Sequence, residues 1–374
     1  MAPSATVIER LRRLMLWGGW LAAISAAAAA DRTVIMDQDA FGGVNLQPML
    51  MVIQSPGVRV AGITVESGDG WEKESAAQTL RMLELIGRTD IPVAGGATFP
   101  LINSQEETRR WERLYGTLPY KGAWMEAWPG YNTVNRPHYH APEIVPPLPQ
   151  GMPATSVVAE SAAEFLVRTV RAHPGEISIL AMGPCTNLAL AVQRDPQFAA
   201  DAKELVMMGG SFNPDASRVD EFSRQFINSP RVEFNFRWDP EAARIVLHAP
   251  WRRMVLVPTD ATVGTRMTTA LAHEAGSGAT TASRYFAAYG DSGYPMWDET
   301  GASVWLEPSI VRESDELLVD VDIDHGADYG ATLSWYPGFN PGLGERRLTV
   351  VRKIDIHRLE RLFVARVTGQ APLP

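Results

Sequence analysis

The chain has 374 residues, enough for one large α/β domain or two average ones and for a sizeable buried core. Its 34 basic and 43 acidic residues give a formal net charge of -9, with no long Lys/Arg cluster after the N-terminus, which argues against nucleic acid as a partner. The single cysteine, Cys185, excludes an intrachain disulfide, so stability must come from the core and from any bound metal.

Residues 1–30 read as an export signal. "RLRR" supplies a positive n-region, "LMLWGGWLAAISAAAAA" an apolar h-region, and the alanine run a small-residue cleavage site that puts the mature start near Asp31. An anchor helix fits less well, because the apolar stretch is short, diluted with alanine and broken by Gly18 and Gly19. Nothing later in the chain is apolar enough to span a bilayer, so the expectation is a periplasmic or secreted protein with no membrane contact after cleavage.

From Thr33 onward, apolar runs of strand length alternate with helical patterns. "TVIMD" precedes "LQPMLMVIQ", "VRVAGITV" precedes "KESAAQTLRMLELIG", and "ISILAM" precedes "TNLALAVQR". "ELVMMGG", "DPEAARIVLHA" and "RRMVLVPTD" follow. The rhythm predicts βαβ units on a mostly parallel sheet whose strands are covered on both faces, with any chemistry at its carboxyl edge. Gly87 is a helix stop, and Asp239 before Pro240 is an N-cap followed by an N1 proline.

The first strand ends in Asp37 and Asp39. At i and i+2 both point to one face of a strand, and two carboxylates so close require a cation or a shared proton, a hard divalent ion being one resolution. The alternative is that one of them accepts only turn N–H groups. Asn45 suits the N-cap of a helix over 46–54, with Pro48 in its first turn, and its side-chain oxygen is also a neutral metal donor.

Residues 103–152, rich in Trp, Tyr and Pro, form a long excursion above the sheet of the kind that covers a site, and carry His138 and His140, which are either a leaving-group acid or part of a packed lid. In "LAMGPCTNLALA" the carbonyl of Met182 ends a strand before a Gly-Pro turn. "RVEFNFRWDPEAA" sets Glu233 and Asn235 two apart, a carboxylate and an amide able to grip sugar hydroxyls, or else a solvated loop around a buried Phe234. Asp260 ends another apolar strand and delivers a third acid to the same edge.

Together these motifs resemble one family, the calcium-dependent inosine/uridine-preferring nucleoside hydrolases. The resemblance runs from Thr33 to "DIHRLERLFVARV" and rests on the order of the acidic motif, "GITVESGDGW", "GRTDIPVAGGATFPL", "HPGEISILAMGPCTNLALA", "ELVMMGGSF", "EFNFRWDPEAA", "LVPTDAT" and "WDETGASVWLEPSI". It implies a single doubly wound α/β domain over 31–374, a nucleoside or related N-glycoside as small-molecule partner, and a homo-oligomer. By the same resemblance Asp39 looks like the calcium-binding aspartate that takes the proton of the attacking water. Asp37, Asn45, the Met182 carbonyl and Asp260 complete the implied metal set, while Asp69, Met208, Asn228, Glu233 and Asn235 look like the sugar-binding set. Asp69 stands where the family usually has Asn.

The family motif D-x-D-x-G-x-D-D is altered. Counting back from Ser55-Pro56 puts Asn45 on its last aspartate and Val44 on the one before, so weaker calcium binding and changed ribose recognition are expected. Two other readings compete with a hydrolase: a sugar- or nucleoside-binding protein on the same scaffold, favoured by Val44 and Asn45, and a DxD phosphatase using "VIMDQDA", disfavoured by Ala40-Phe41 and by the lack of a matching lysine.

Overall fold

The computed structural model describes residues 32–127, 138–214 and 229–370; the segment read as an export signal lies outside them. The strands are β1 (Arg32–Gln38), β2 (Val58–Val65), β3 (Val93–Gly95), β4 (Ile177–Ala181), β5 (Glu204–Met208), β6 (Met254–Val257), β7 (Val311–Val321), β8 (Thr332–Trp335) and β9 (Arg346–Ile354). They form one sheet in the order β3-β2-β1-β4-β5-β6-β9-β7-β8.

All pairings from β3 across to β9 are parallel. Alternate residues of these strands feed two cores. Val34, Met36, Leu180, Val206 and Val255 face one layer of helices, while Ile35, Ile179, Leu205, Met207 and Leu256 face the other. Burial on both faces is why the strands read as unbroken apolar runs. The expected mostly parallel, doubly wound α/β fold is the observed one.

The far edge is a three-stranded antiparallel ribbon, with β7 paired to both β8 and β9. It was not among the apolar runs of the sequence, because most of the first half of β7 is exposed and only its second half enters the core. Half-wet edge strands lack the continuous apolar signal of the central ones.

The helix stops behave as expected. Gly87 takes the left-handed conformation after the helix Glu72–Ile86, and Asp239 Oδ1 accepts from Ala242 N–H at the start of Pro240–His248. The first helix departs from expectation. It runs Gly42–Ile53 with Phe41 at its N-cap, so Asn45 lies in the first turn and Pro48 in the interior. The connection from β1 is only Asp39 to Phe41, so the glycine pair itself begins the helix, and Pro48 forfeits one interior hydrogen bond. Among the described residues no helix is long and apolar enough to cross a membrane.

The C-terminal helix Ile356–Thr368 is part of this core and not an appendage. Phe363 is fully buried and meets Phe286 edge-on at 5.6 Å between centroids. Phe363→Ala is expected to cost about 3–5 kcal/mol, measured as a shift of the denaturant midpoint at unchanged slope.

Candidate active site

The strand order reverses between β1 and β4, and in open α/β sheets the crevice outside the carboxyl ends at such a point is where ligands bind. Here Met182 N–H donates to the Asp37 carbonyl at 2.9 Å, which sets the ends of the two strands side by side. Asp39 follows β1 directly and is only 1% exposed.

The Asp39 carboxylate is held by backbone more than by side chains. Asp69 N–H donates to Oδ2 at 2.8 Å, and the Asn45 amide nitrogen lies 3.5 Å from Oδ1. A Cβ on Gly68 would stand 2.2 Å from Oδ2, and one on Gly183 would stand 3.2 Å from Cγ. Both turns close on Asp39 at distances that only glycine allows, since a Cβ on Gly183 would also lie 2.8 Å from the Asp39 backbone nitrogen.

Gln38 brings in a second acid. Its side-chain oxygen accepts from Asp39 N–H at 2.9 Å, and its amide nitrogen donates to Asp298 Oδ2 at 3.1 Å. Asp298 comes from the first turn of the helix Trp297–Leu306 and is buried. Burial raises the Asp39 carboxyl well above its ordinary range, and the charges of Asp69 and Asp298 raise it further. Asp298 is raised by burial too, with Glu299, Asp69 and Glu233 adding to the effect and the Gln38 hydrogen bond opposing it.

The opposite wall is built on β5 and the short helix Phe234–Trp238. Glu233 caps that helix, accepting from Asn235 N–H at 2.9 Å and Phe236 N–H at 3.1 Å, and also from Gly210 N–H at 2.8 Å. Burial pushes Glu233 up to about 7 against these three hydrogen bonds. The Asn235 amide donates to the Met208 carbonyl at 3.2 Å, fixing the end of β5 beside it. Asp69 completes the ring of acids and accepts from the Tyr120 hydroxyl at 2.5 Å.

Three residues stand elsewhere than their expected positions. Asp37 does not share a space with Asp39: it accepts from Thr64 at 2.5 Å and Asn187 at 2.9 Å, and it faces Glu66. Asp37 Oδ2 and Glu66 Oε1 are buried with no hydrogen-bond partner, and burial raises both carboxyls above their ordinary range. Both Asp260 oxygens accept backbone N–H groups, from Phe212 at 2.9 Å and Asn213 at 2.8 Å, so Asp260 braces that loop; the acid that reaches Asp39 is Asp298. The Asn45 amide turns its nitrogen to Asp39 and its oxygen to Phe41 N–H.

Asn228 lies outside the described residues. His140 is a latch: Nε2 pairs with Glu74 at 2.9 Å, Nδ1 with the Ala141 carbonyl at 2.8 Å, and its own carbonyl accepts from Trp71 Nε1. His138 is exposed. Sequence reasoning assigned nothing to Gln38, Glu66, Tyr120, Asn187 or Asp298. Only the last of these carried a signal, inside the "WDE" at a helix start.

Among the described residues no three His, Cys, Asp or Glu side chains are grouped so as to hold a metal ion. The donor chemistry nonetheless fits a hard divalent cation. Asp39 and Asp298 are carboxylates raised by burial and by the charges of neighbouring acids, and neither they nor Glu233 pair with Lys or Arg among the described residues. The turn after β4 also lies against Asp39, next to the Met182 carbonyl.

A family model described as inosine-uridine preferring nucleoside hydrolase matches residues 34–361. The pyrimidine-specific ribonucleoside hydrolase of Escherichia coli is 26% identical over 313 residues, covering 81% of this chain and 87% of its own. Uridine nucleosidase 1 of Arabidopsis thaliana is 33% identical over 198 residues, 53% of this chain and 48% of its own length. Among solved structures, an inosine-guanosine nucleoside hydrolase superposes with a TM-score of 0.70 at 20% identity, covering 91% of this chain and 99% of its own. A purine-preferring ribonucleoside hydrolase from Gardnerella vaginalis does so with a TM-score of 0.68 at 19% identity, covering 90% and 98%.

The buried acids make stability fall as pH rises. Asp37 and Glu299 are pushed up to about 6 and about 7 by burial. Between the ordinary carboxyl range and those values the unfolded chain has released its protons and the folded chain has not, so the penalty grows from about pH 4 to pH 7. The metal-free protein is therefore expected to melt higher at pH 5.5 than at pH 8. Glu299→Gln keeps an acceptor for the Tyr294 hydroxyl, removes a buried charge whose Oε2 has no donor, and flattens that slope. Equal melting temperatures at the two pH values, read by calorimetry, would refute this.

Proposed function

The chain belongs to the inosine-uridine preferring nucleoside hydrolase family, and we propose how its own residues carry the hydrolysis of a nucleoside N-glycosidic bond. The reading rests on one observation above all: a buried carboxylate, Asp39, gripped by Asp69 N–H at the β1/β4 switch point with Asp298 tied beside it.

In this reading calcium would be held by Asp39 and Asp298, with the Met182 carbonyl as a neutral oxygen donor. When bound, the cation supplies the positive charge that makes a water nucleophilic near neutral pH. Asp39 accepts the proton of the attacking water, the water oxygen bonds to the anomeric carbon, and the bond from that carbon to the base breaks with its electron pair leaving on the base nitrogen. The sugar passes through an oxocarbenium-like state, and the carboxylates of Asp39, Asp69, Asp298 and Glu233 surround it with negative potential. Glu233, Asn235 and Met208 orient the sugar. The leaving base departs against an apolar wall that includes Trp71, Trp124, Phe234 and Trp238.

The named preferences of the similar proteins range over pyrimidine, uridine, purine and inosine-guanosine substrates, so the base is left open. The phosphatase reading fails on its nucleophile, since Asp37 is consumed by Thr64, Asn187 and Glu66. The signal-like residues 1–30 support export, for which the check is a secreted form whose mass begins near Asp31.

Asp39→Ala is expected to abolish calcium binding, followed by calorimetry, and to lower base release by at least about a thousandfold. Asp298→Asn is expected to weaken calcium by at least about tenfold, whereas Asp260→Asn leaves calcium affinity unchanged. If the two variants behave the other way round, the metal set is wrong.

A further inference from the structure

The excursion over 103–152 supplies one residue to the acid ring, Tyr120. Tyr120 precedes a 3₁₀ turn, Gly122–Trp124, that docks on the Gly68–Asp69 turn. Ala123 N–H donates to the Gly68 carbonyl at 2.9 Å, and a Cβ on Gly122, whose φ is +51, would lie 2.1 Å from that oxygen. Asp39 thus holds the Gly68–Asp69 turn from below and the excursion holds it from above. From this seat Tyr120 reaches both walls of the site: its hydroxyl donates to Asp69 Oδ1, and its ring meets Phe234, the neighbour of Glu233, edge-on at 4.7 Å. Tyr120 is half-buried and lines a cavity of about 120 Å³ together with Glu233, Phe234 and Arg237.

The chemistry of the pair gives Tyr120 a task. An ionised aspartate only accepts hydrogen bonds, so in this contact it is the Tyr120 hydroxyl that donates. A phenol hydroxyl whose proton is spent on Asp69 still offers oxygen lone pairs to an incoming donor. We propose that Tyr120 is a specificity-determining residue of the sugar site: its hydroxyl oxygen accepts a hydrogen bond from one hydroxyl of the nucleoside sugar while its proton holds Asp69. This rests on the sugar-binding reading given above for Glu233 and Asp69.

The test compares the native chain with Tyr120→Phe, which keeps the ring against Phe234, on a ribonucleoside and its 2′-, 3′- and 5′-deoxy analogues. The expected result is a loss of about tenfold in kcat/KM for the ribonucleoside and for two analogues, with the third analogue unchanged because it already lacks the hydroxyl that is read. An equal loss on all four substrates means that Tyr120 only props Asp69, and no loss on any means that it touches nothing; either overturns the inference. If the native chain releases no base from any nucleoside, it is the proposed function that fails. The same series read as Kd by calorimetry, judged by the same pattern, then decides Tyr120 separately.

Discussion

Everything at this site depends on burying carboxylates that, among the described residues, no Lys or Arg side chain meets. Asp39, Asp298 and Glu233 are each at most 6% exposed, and burial and mutual repulsion hold their carboxyls well above the ordinary range. Such an arrangement is costly unless something positive arrives, and the proposed reaction would bring two such things, a divalent cation and a sugar that becomes cationic in its transition state. The fold tolerates the cost because backbone N–H groups partly solvate the acids. Asp69 N–H serves Asp39, and the N–H groups of Gly210, Asn235 and Phe236 serve Glu233.

The same constraint explains where the glycines and the amides stand. Gly68 and Gly183 allow two turns to close on Asp39, and Gln38 ties Asp39 N–H to Asp298, 260 positions along the chain. Below them Asp37 and Glu66 form a second acid pair around Asn187, which fastens β1 and β2 to the helix Thr186–Arg194. Asp37, which the resemblance implied as a metal ligand, is thus part of the platform beneath Asp39.

The long excursion is more than a cover. His140 latches it to Glu74, Trp124 stacks on Trp238 at 3.9 Å, and Gly122 and Ala123 dock on the turn that positions Asp69. Its aromatic residues meet those of the helix Phe234–Trp238, so the excursion and the Glu233 wall pack as one unit. A sugar site assembled this way is completed by residues distant in sequence from the motifs that first suggest it.

Local sequence determined the central sheet, because strands buried on both faces must be apolar throughout, and it determined helix ends such as Gly87 and Asp239, because capping chemistry is local. It also marked Asp39, Glu233 and Asn235, which stand within a residue or two of an element boundary that the pattern reveals. Tertiary structure alone decided the rest. Asp37 and Asp39 are two residues apart yet have separate partners, because the chain leaves β1 between them. Asp260 and Asp298 each follow an apolar run or open a helix, and only the packing of the helix Trp297–Leu306 against the helix Gly42–Ile53 and β5 sends one of them to Asp39 while the other turns to the loop at Phe212. Carboxylates carry no local mark of which distant group they will face, and that is settled by how the layers stack.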